Sequence, residues 1–367
     1  MTPRERASHH RWEISQRRKQ KIYNYNNKQL PNSKMLYAPE ILDIYGKDGI
    51  DHSLAFIHRL QKYQYNTVLD FTLNFRNCKT LKAAALVTIF SIVERIIVDY
   101  HKQVKLVLPT QKQAPHILKT LRKSGLIELC REKKVENYFD RNYLPIVSSS
   151  GGRFREEIVD FIVKKIYQGM PPSLENIYAD AIQEAINNVT AHAYIAENQN
   201  IIKRWWLLCD VIGDQLYLVI YDAGIGIPQS LEVHINKNEL DFSQPETISE
   251  LREHYNNSPE LNQHSTFEQL LSILNSAKFP EKFPDEQKIF LAMIGNFTRK
   301  TGNDELKHGQ GSKSIKALVS TNDDGILWIF SGLGRVKFVN DVIKPDLMSL
   351  PKHLTGTLIQ WNIKVSK

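Results

Sequence analysis

Glu184, Asn188 and His192 stand four residues apart, so on a helix they share one face. A carboxylate can hold and deprotonate a water, and a carboxamide one turn later offers an oxygen suited to a hard cation such as Mg²⁺. An amphipathic helix with a polar outer stripe explains the same spacing. Further on, the apolar, β-branched run Leu216–Tyr221 delivers Asp222 to a strand end, and Gly224 and Gly226 then allow a tight turn running through Ile227. A carboxylate placed there can accept a hydrogen bond from an amino group such as adenine N6, although a plain strand end with a glycine turn fits equally. A third stretch, His308–Val319, leads through Gly309 and Gly311 into a helix with Ser312 as N-cap and Lys313 behind it. Free N–H groups and the positive helix end would face phosphates there, or the stretch is an ordinary capped helix.

These residues need a scaffold. Ile182, Ala185, Ile186 and Val189 give the helix Ala181–Tyr194 an apolar flank that would pack on a sheet. Before it, Arg153–Tyr167 repeats apolar residues at helical spacing, Pro171 and Pro172 break that helix, and Ser173 is placed to cap the next. Arg204–Asp210, Gly213 and Leu216–Tyr221 read as a hairpin leading into Asp222. Residues 325–332 and 334–340 read as another hairpin around Ser331–Gly334, completing a sheet with the strand of Thr357.

Taken in this order, the three stretches resemble the N, G1 and G2 boxes of the gyrase, chaperone, histidine-kinase and mismatch-repair ATPases (GHKL, the Bergerat fold), over residues 153–365. The resemblance implies ATP and Mg²⁺ as ligands. Glu184 would be the general base, Asn188 the Mg²⁺ ligand, and His192 a structural or phosphate-facing group. Asp222 would read the adenine amino group, with Gly224, Gly226 and Ile227 shaping its pocket and Thr357 supporting it from below. Gly309, Gly311, Ser312 and Lys313 would cover the phosphates. Residues 228–307, far more than a simple connection needs, look like an elaborated ATP lid. Phe267–Leu274 and Gln287–Phe297 would be its helices, and Arg299 or Lys300 would approach the phosphates. The fold would end near Lys367 without a following transducer domain, which weighs against a DNA clamp.

In the first half, Asp51–Lys62 has helical spacing, Asn66–Thr72 reads as a strand and Thr80–Tyr100 as a helix. The strand Val104–Leu108 and the helix Gln111–Arg122 follow, before the run Gly125–Leu129. Alternation at this spacing argues for an α/β unit with crossover connections. Val68–Phe71 followed by Phe75–Leu81 and a long helix resembles a STAS domain, the fold of anti-anti-sigma factors. Cys78 or Lys79 stands where that family carries a phosphoacceptor hydroxyl, so a protein-interaction or scaffolding module is the better expectation. The fold class is therefore α/β (an α+β sandwich). Residues 35–143 form the smaller unit, 144–152 a linker, and 153–367 the ATP-binding unit.

Composition narrows the alternatives. With 367 residues, 42% hydrophobic and 24% charged, the chain can build two cores. Cys78, Cys130 and Cys209 lack metal-ligand spacing and read as buried, reduced thiols, which fits a cytoplasmic setting. The apolar run Ala83–Val93 is too short to span a bilayer, and no signal peptide is read, so no membrane partner is expected. The net charge is +8. Residues 1–34 hold nine basic side chains against Glu5 and Glu13, with Trp12, Tyr23 and Tyr25 interleaved. Such an arm suits nucleic acid or an acidic protein surface, or is simply solvated. Three functions stay open: an ATPase switch in a signalling, stress or phage-defence system; a Ser/Thr kinase acting on a STAS-like partner; and a non-hydrolysing ATP sensor that binds nucleic acid through its arm. Expected partners are ATP, a STAS-like or effector protein, nucleic acid, and a second copy in a homodimer.

Overall fold

A computed structural model describes residues 34–46, 48–65, 70–193, 203–237, 240–241, 245–257, 266–275, 283–294, 298–299, 311–322, 324–339 and 345–365. Helices and strands alternate through the first part. Strands β1 (Met35–Tyr37), β3 (Asp70–Asn74) and β5 (Gln103–Val107) form a parallel sheet in the order β1-β3-β5, and β2 (Ile41–Leu42) pairs in parallel with β4 (Thr80–Leu81). The helices are α1 (Ile50–Tyr65), α2 (Ala83–Glu94, continued by a π-helical turn Arg95–Asp99), α3 (Pro115–Lys123) and α4 (Leu126–Glu132). The run Gly125–Leu129 thus starts a helix: Gly125, at φ +80°, turns the chain into α4. Pro115 sets the start of α3 four residues later than the expected Gln111, in keeping with its preference for a first helical turn.

A five-stranded antiparallel sheet of order β11-β12-β8-β7-β6 dominates the second part. Its strands are β6 (Val147–Ser150), β7 (Arg204–Ile212), β8 (Gln215–Asp222), β11 (Ile326–Val339) and β12 (Asp346–Lys364). Residues 144–152, expected as a linker, therefore contribute an edge strand, with Val147 opposite Leu207. The expected hairpin at 325–340 is also corrected. Residues 326–339 are one strand that pairs with β12, and Gly332 and Gly334 mark register shifts within it. Helices α5 (Arg155–Phe161, with a π-helical turn to Ile166) and α6 (Pro172–His192) precede β7. Pro171 occupies the N-cap of α6 and Pro172 its first turn, so Ser173 is already inside the helix and is not its cap.

After β8 come α7 (Ile227–Asn236), β9 (Leu240–Asp241), α8 (Pro245–Asn257), α9 (Phe267–Asn275), α10 (Asp285–Ile294) and β10 (Thr298–Arg299), then α11 (Gly311–Ser320). β9 and β10 pair antiparallel. Both helices expected within 228–307 are present, as α9 and α10. The basic arm 1–33, residues 66–69, Tyr194, Lys300 and His308–Gln310, Gly309 included, lie outside the described residues, as do the side chains of His192 and Arg299.

Both faces of the large sheet are buried, which explains why β7 and β8 read as nearly continuous apolar runs. With the period of two, Trp205, Leu207 and Cys209 face one cluster with Leu218, Ile220 and Trp361, shared with α5, α6, α10 and α11. Trp206, Leu208, Val219, Tyr221, Phe330 and Leu358 face the other, shared with α1, α2 and the parallel sheet. α2 is apolar all round and buried at 11 positions, as a helix packed from both sides must be. Its last residue, Glu94, is 4% exposed and accepts hydrogen bonds from Trp206 Nε1 (2.6 Å) and Ser148 Oγ (2.8 Å), with Arg204 3.3 Å away. Burial pushes its carboxyl pKa up, while Arg204, Trp206 and Ser148 pull it down. Cys78 and Cys209 are buried and Cys130 is half-buried, and burial raises the pKa of all three thiols. Among the described residues, no helix is long and apolar enough to cross a membrane.

Candidate functional site

Asp222 closes β8, where its backbone lies opposite Trp205 on one side and Thr357 on the other. Its side chain is 5% exposed. The carboxylate accepts the backbone N–H of Gly224 at 2.8 Å, and the Thr357 N–H also hydrogen-bonds to it. Burial outweighs those two donors and pushes the pKa up to about 7. Thr357 thus supports Asp222 through its backbone.

The glycines around it are required by close approaches. A Cβ on Gly224 would overlap the backbone of Ala193, the C-cap of α6, whose carbonyl accepts the Ile225 N–H at 2.7 Å. Gly226 has φ +84°, and a Cβ there would lie 2.5 Å from Ser331 Oγ. Gly356, at φ +81°, is pressed against the backbone of Asp222 and Ala223. Ser331, fully buried, joins these pieces: its Oγ donates to Gly356 O (2.8 Å), accepts the Ile227 N–H (2.9 Å) and lies 3.3 Å from Thr357 Oγ1. Sequence reasoning assigned no role to Ser331 or Gly356. The glycines beside Ser331 were visible, but a bulge that turns the serine inward on the glycine loop is a product of pairing with β12.

Glu184 and Asn188 lie one turn apart on α6, both half-buried, while Ala181, Ile182, Ala185, Ile186 and Val189 fill the core beneath them. The Glu184 side chain packs on the first residue of α11: a Cβ at Gly311 would sit 2.5 Å from its carboxyl carbon and 3.0 Å from its Cγ. The head of α11 and the Glu184 carboxylate therefore share one place, and a methyl group at Gly311 would push the Glu184 carboxylate away. Trp361 Nε1 donates to Ile315 O (2.8 Å), pinning α11 to β12. Gly311 and Ser312 are both helical, so Ser312 lies inside α11 and is not its N-cap. The buried Ser312 Oγ finds no hydrogen-bond partner among the described residues, and Lys313 is exposed.

The structure thus brings together Glu184 with Gly311, and Asp222 with Gly224, Gly226, Ile227 and Thr357, the two groups linked through the end of α6 at Ala193. Among the described residues, no group of three His, Cys, Asp or Glu is arranged to hold a metal. The chain matches no protein-family model, and a search of curated proteins gave no match either.

Proposed function

We propose that the chain is a Mg²⁺-dependent ATP-binding ATPase of the GHKL type, acting as a nucleotide-driven conformational switch, with the STAS-like first part as its scaffold for a protein partner. The observation that carries this reading is the Glu184 carboxylate packed on Gly311 at the head of α11. A base and a phosphate-facing helix end belong together in phosphoryl transfer and have no reason to meet in a merely polar helix face. Glu184 lies nine residues before Ala193, about 13 Å along the helix, which is the scale of an extended nucleoside triphosphate.

The residues present fit such a ligand. Among the described residues Ser312 Oγ is a buried donor with no hydrogen-bond partner, and ionised Asp222 would be an acceptor for the adenine amino group. In the proposed reaction Glu184 orients a water and takes its proton as the water oxygen bonds to the γ-phosphorus. The bond from that phosphorus to the bridging oxygen breaks, and ADP and inorganic phosphate leave. Asn188 would hold Mg²⁺, which neutralises charge on the phosphate oxygens. Titration calorimetry with Mg²⁺ and ATP tests the binding site. Wild type should bind, and Asp222→Asn should weaken binding at least tenfold, about 1.4 kcal/mol. Equal affinities would remove the adenine assignment.

A further inference from the structure

The first part of the chain carries a charge pattern that the nucleotide site does not use. No acidic residue occurs between Asp70 and Glu94, nor between Asp99 and Glu128. The two acid-free stretches come together in the fold. The loop after β3 and the first turn of α3 are tied by His116 Nε2 to Lys79 O, 2.9 Å apart. Six cations are exposed on this surface: Arg76, Lys79 and Lys82 from the loop, and Lys112, Lys119 and Arg122 along α3 and the turn before it. Among the described residues only Lys79 of these six has a carboxylate partner, Glu40. On α3 Lys119 and Arg122 stand three residues apart and so share one face, a step of about 5 Å, with Lys112 in the turn before the helix.

We infer that this face is a docking surface for the phosphodiester backbone of a nucleic-acid duplex. Three features select that occupant. Residues 76–82 and 109–123 contain no Phe, Tyr or Trp, so the surface lacks the platforms on which single-stranded bases stack. The same absence leaves no aromatic anchor of the kind that dominates protein–protein interfaces, and the one exposed large apolar side chain beside the loop among the described residues is Ile41, opposite Thr80. The apolar side of α3, Ile117, Leu118 and Leu121, is buried at 2%, 6% and 0% exposure, so the helix has no face to insert into a lipid surface. A cation-rich array, in which Glu40 beside Lys79 and Asp210 beside Lys123 are the acids paired with its cations among the described residues, with nothing to read bases, suits sequence-independent backbone contact. The inference stands independently of the ATPase reading, since none of these residues lies at the nucleotide site.

Fluorescence anisotropy of the full chain with a labelled 20-base-pair DNA duplex of mixed sequence, over a series of NaCl concentrations, tests it. The variant is Lys112→Gln/Lys119→Gln/Arg122→Gln, and the control is Lys164→Gln/Lys165→Gln/Lys352→Gln, which removes equal charge elsewhere. Thermal unfolding checks that both remain folded. The surface variant should bind at least tenfold more weakly than wild type and the control at 100 mM salt. The slope of log affinity against log salt should fall in magnitude by about 2 to 3, while an unrelated duplex sequence binds equally. Absence of duplex binding by wild type would overturn the inference, as would a surface variant that matches the control. Retention on phosphatidylserine vesicles without retention of the duplex would also overturn it and assign the face to a membrane.

Discussion

In the proposed role Asp222 would unite two opposed properties: it is buried, and it would have to be ionised to accept a hydrogen bond from the adenine amino group. Burial holds its pKa near 7, well above the usual 3.8 of an aspartate, so small changes of pH around neutrality change its charge. The folded state binds the proton more tightly than the unfolded state. Its contribution to stability is therefore fully present below about pH 4 and is lost as pH rises through 7, by up to about 4 kcal/mol. Ligand binding should run the opposite way. Adenosine affinity should rise about tenfold between pH 6 and pH 8 as the carboxylate ionises, and Asp222→Asn should abolish that dependence. A flat profile for wild type, measured by competition against a fluorescent nucleotide, would contradict the role.

At the scale of elements, the site is an agreement among the end of α6, the β8 glycine turn, the bulge of β11 and the head of α11. Gly311→Ala tests the last of these, because its methyl group would overlap the Glu184 carboxylate. ATP turnover should drop at least tenfold while far-UV circular dichroism is unchanged; full turnover would show that the two need not meet. Much of this arrangement was legible in the sequence. The 3.6-residue period around Glu184 and Asn188 fixed their helix, and the apolar run ending at Asp222 fixed its strand. What was not legible depended on partners distant in the chain. Ser331 and its glycines look like a turn until β12 is seen to pair on both sides of them, from Ile326 to Lys337, with Ser331 opposite Thr357. Ser173 and Ser312 look like caps, but both lie inside their helices because Pro172 and Gly311 before them are already helical. The serine-rich run at 147–150 carries turn residues and none of the usual strand formers beyond Val147, yet the open edge of β7 recruits it.

For the whole molecule, the notable consequence is the place of α2, shared between the parallel sheet and the second face of the antiparallel one. α1 also reaches β12, where Gln61 Nε2 lies 3.3 Å from Thr355 Oγ1, and Tyr221 donates to Thr355 O at 2.8 Å, two residues from Thr357. The two parts should therefore unfold as one. Urea denaturation followed by tryptophan fluorescence and by circular dichroism should give coincident single transitions. Arg204→Ala, which leaves Glu94 buried without its cation, should lower the stability by about 3 to 5 kcal/mol, and separated transitions would contradict the shared core. In the proposed reaction Glu184 would act on a γ-phosphate bound at the head of α11. The most direct test of that step follows γ-labelled ATP with Mg²⁺ for wild type and Glu184→Gln, resolving free phosphate from label on protein. Free phosphate from wild type that vanishes in Glu184→Gln is the expected result; equal release by both, or label transferred to protein with no free phosphate, would contradict it.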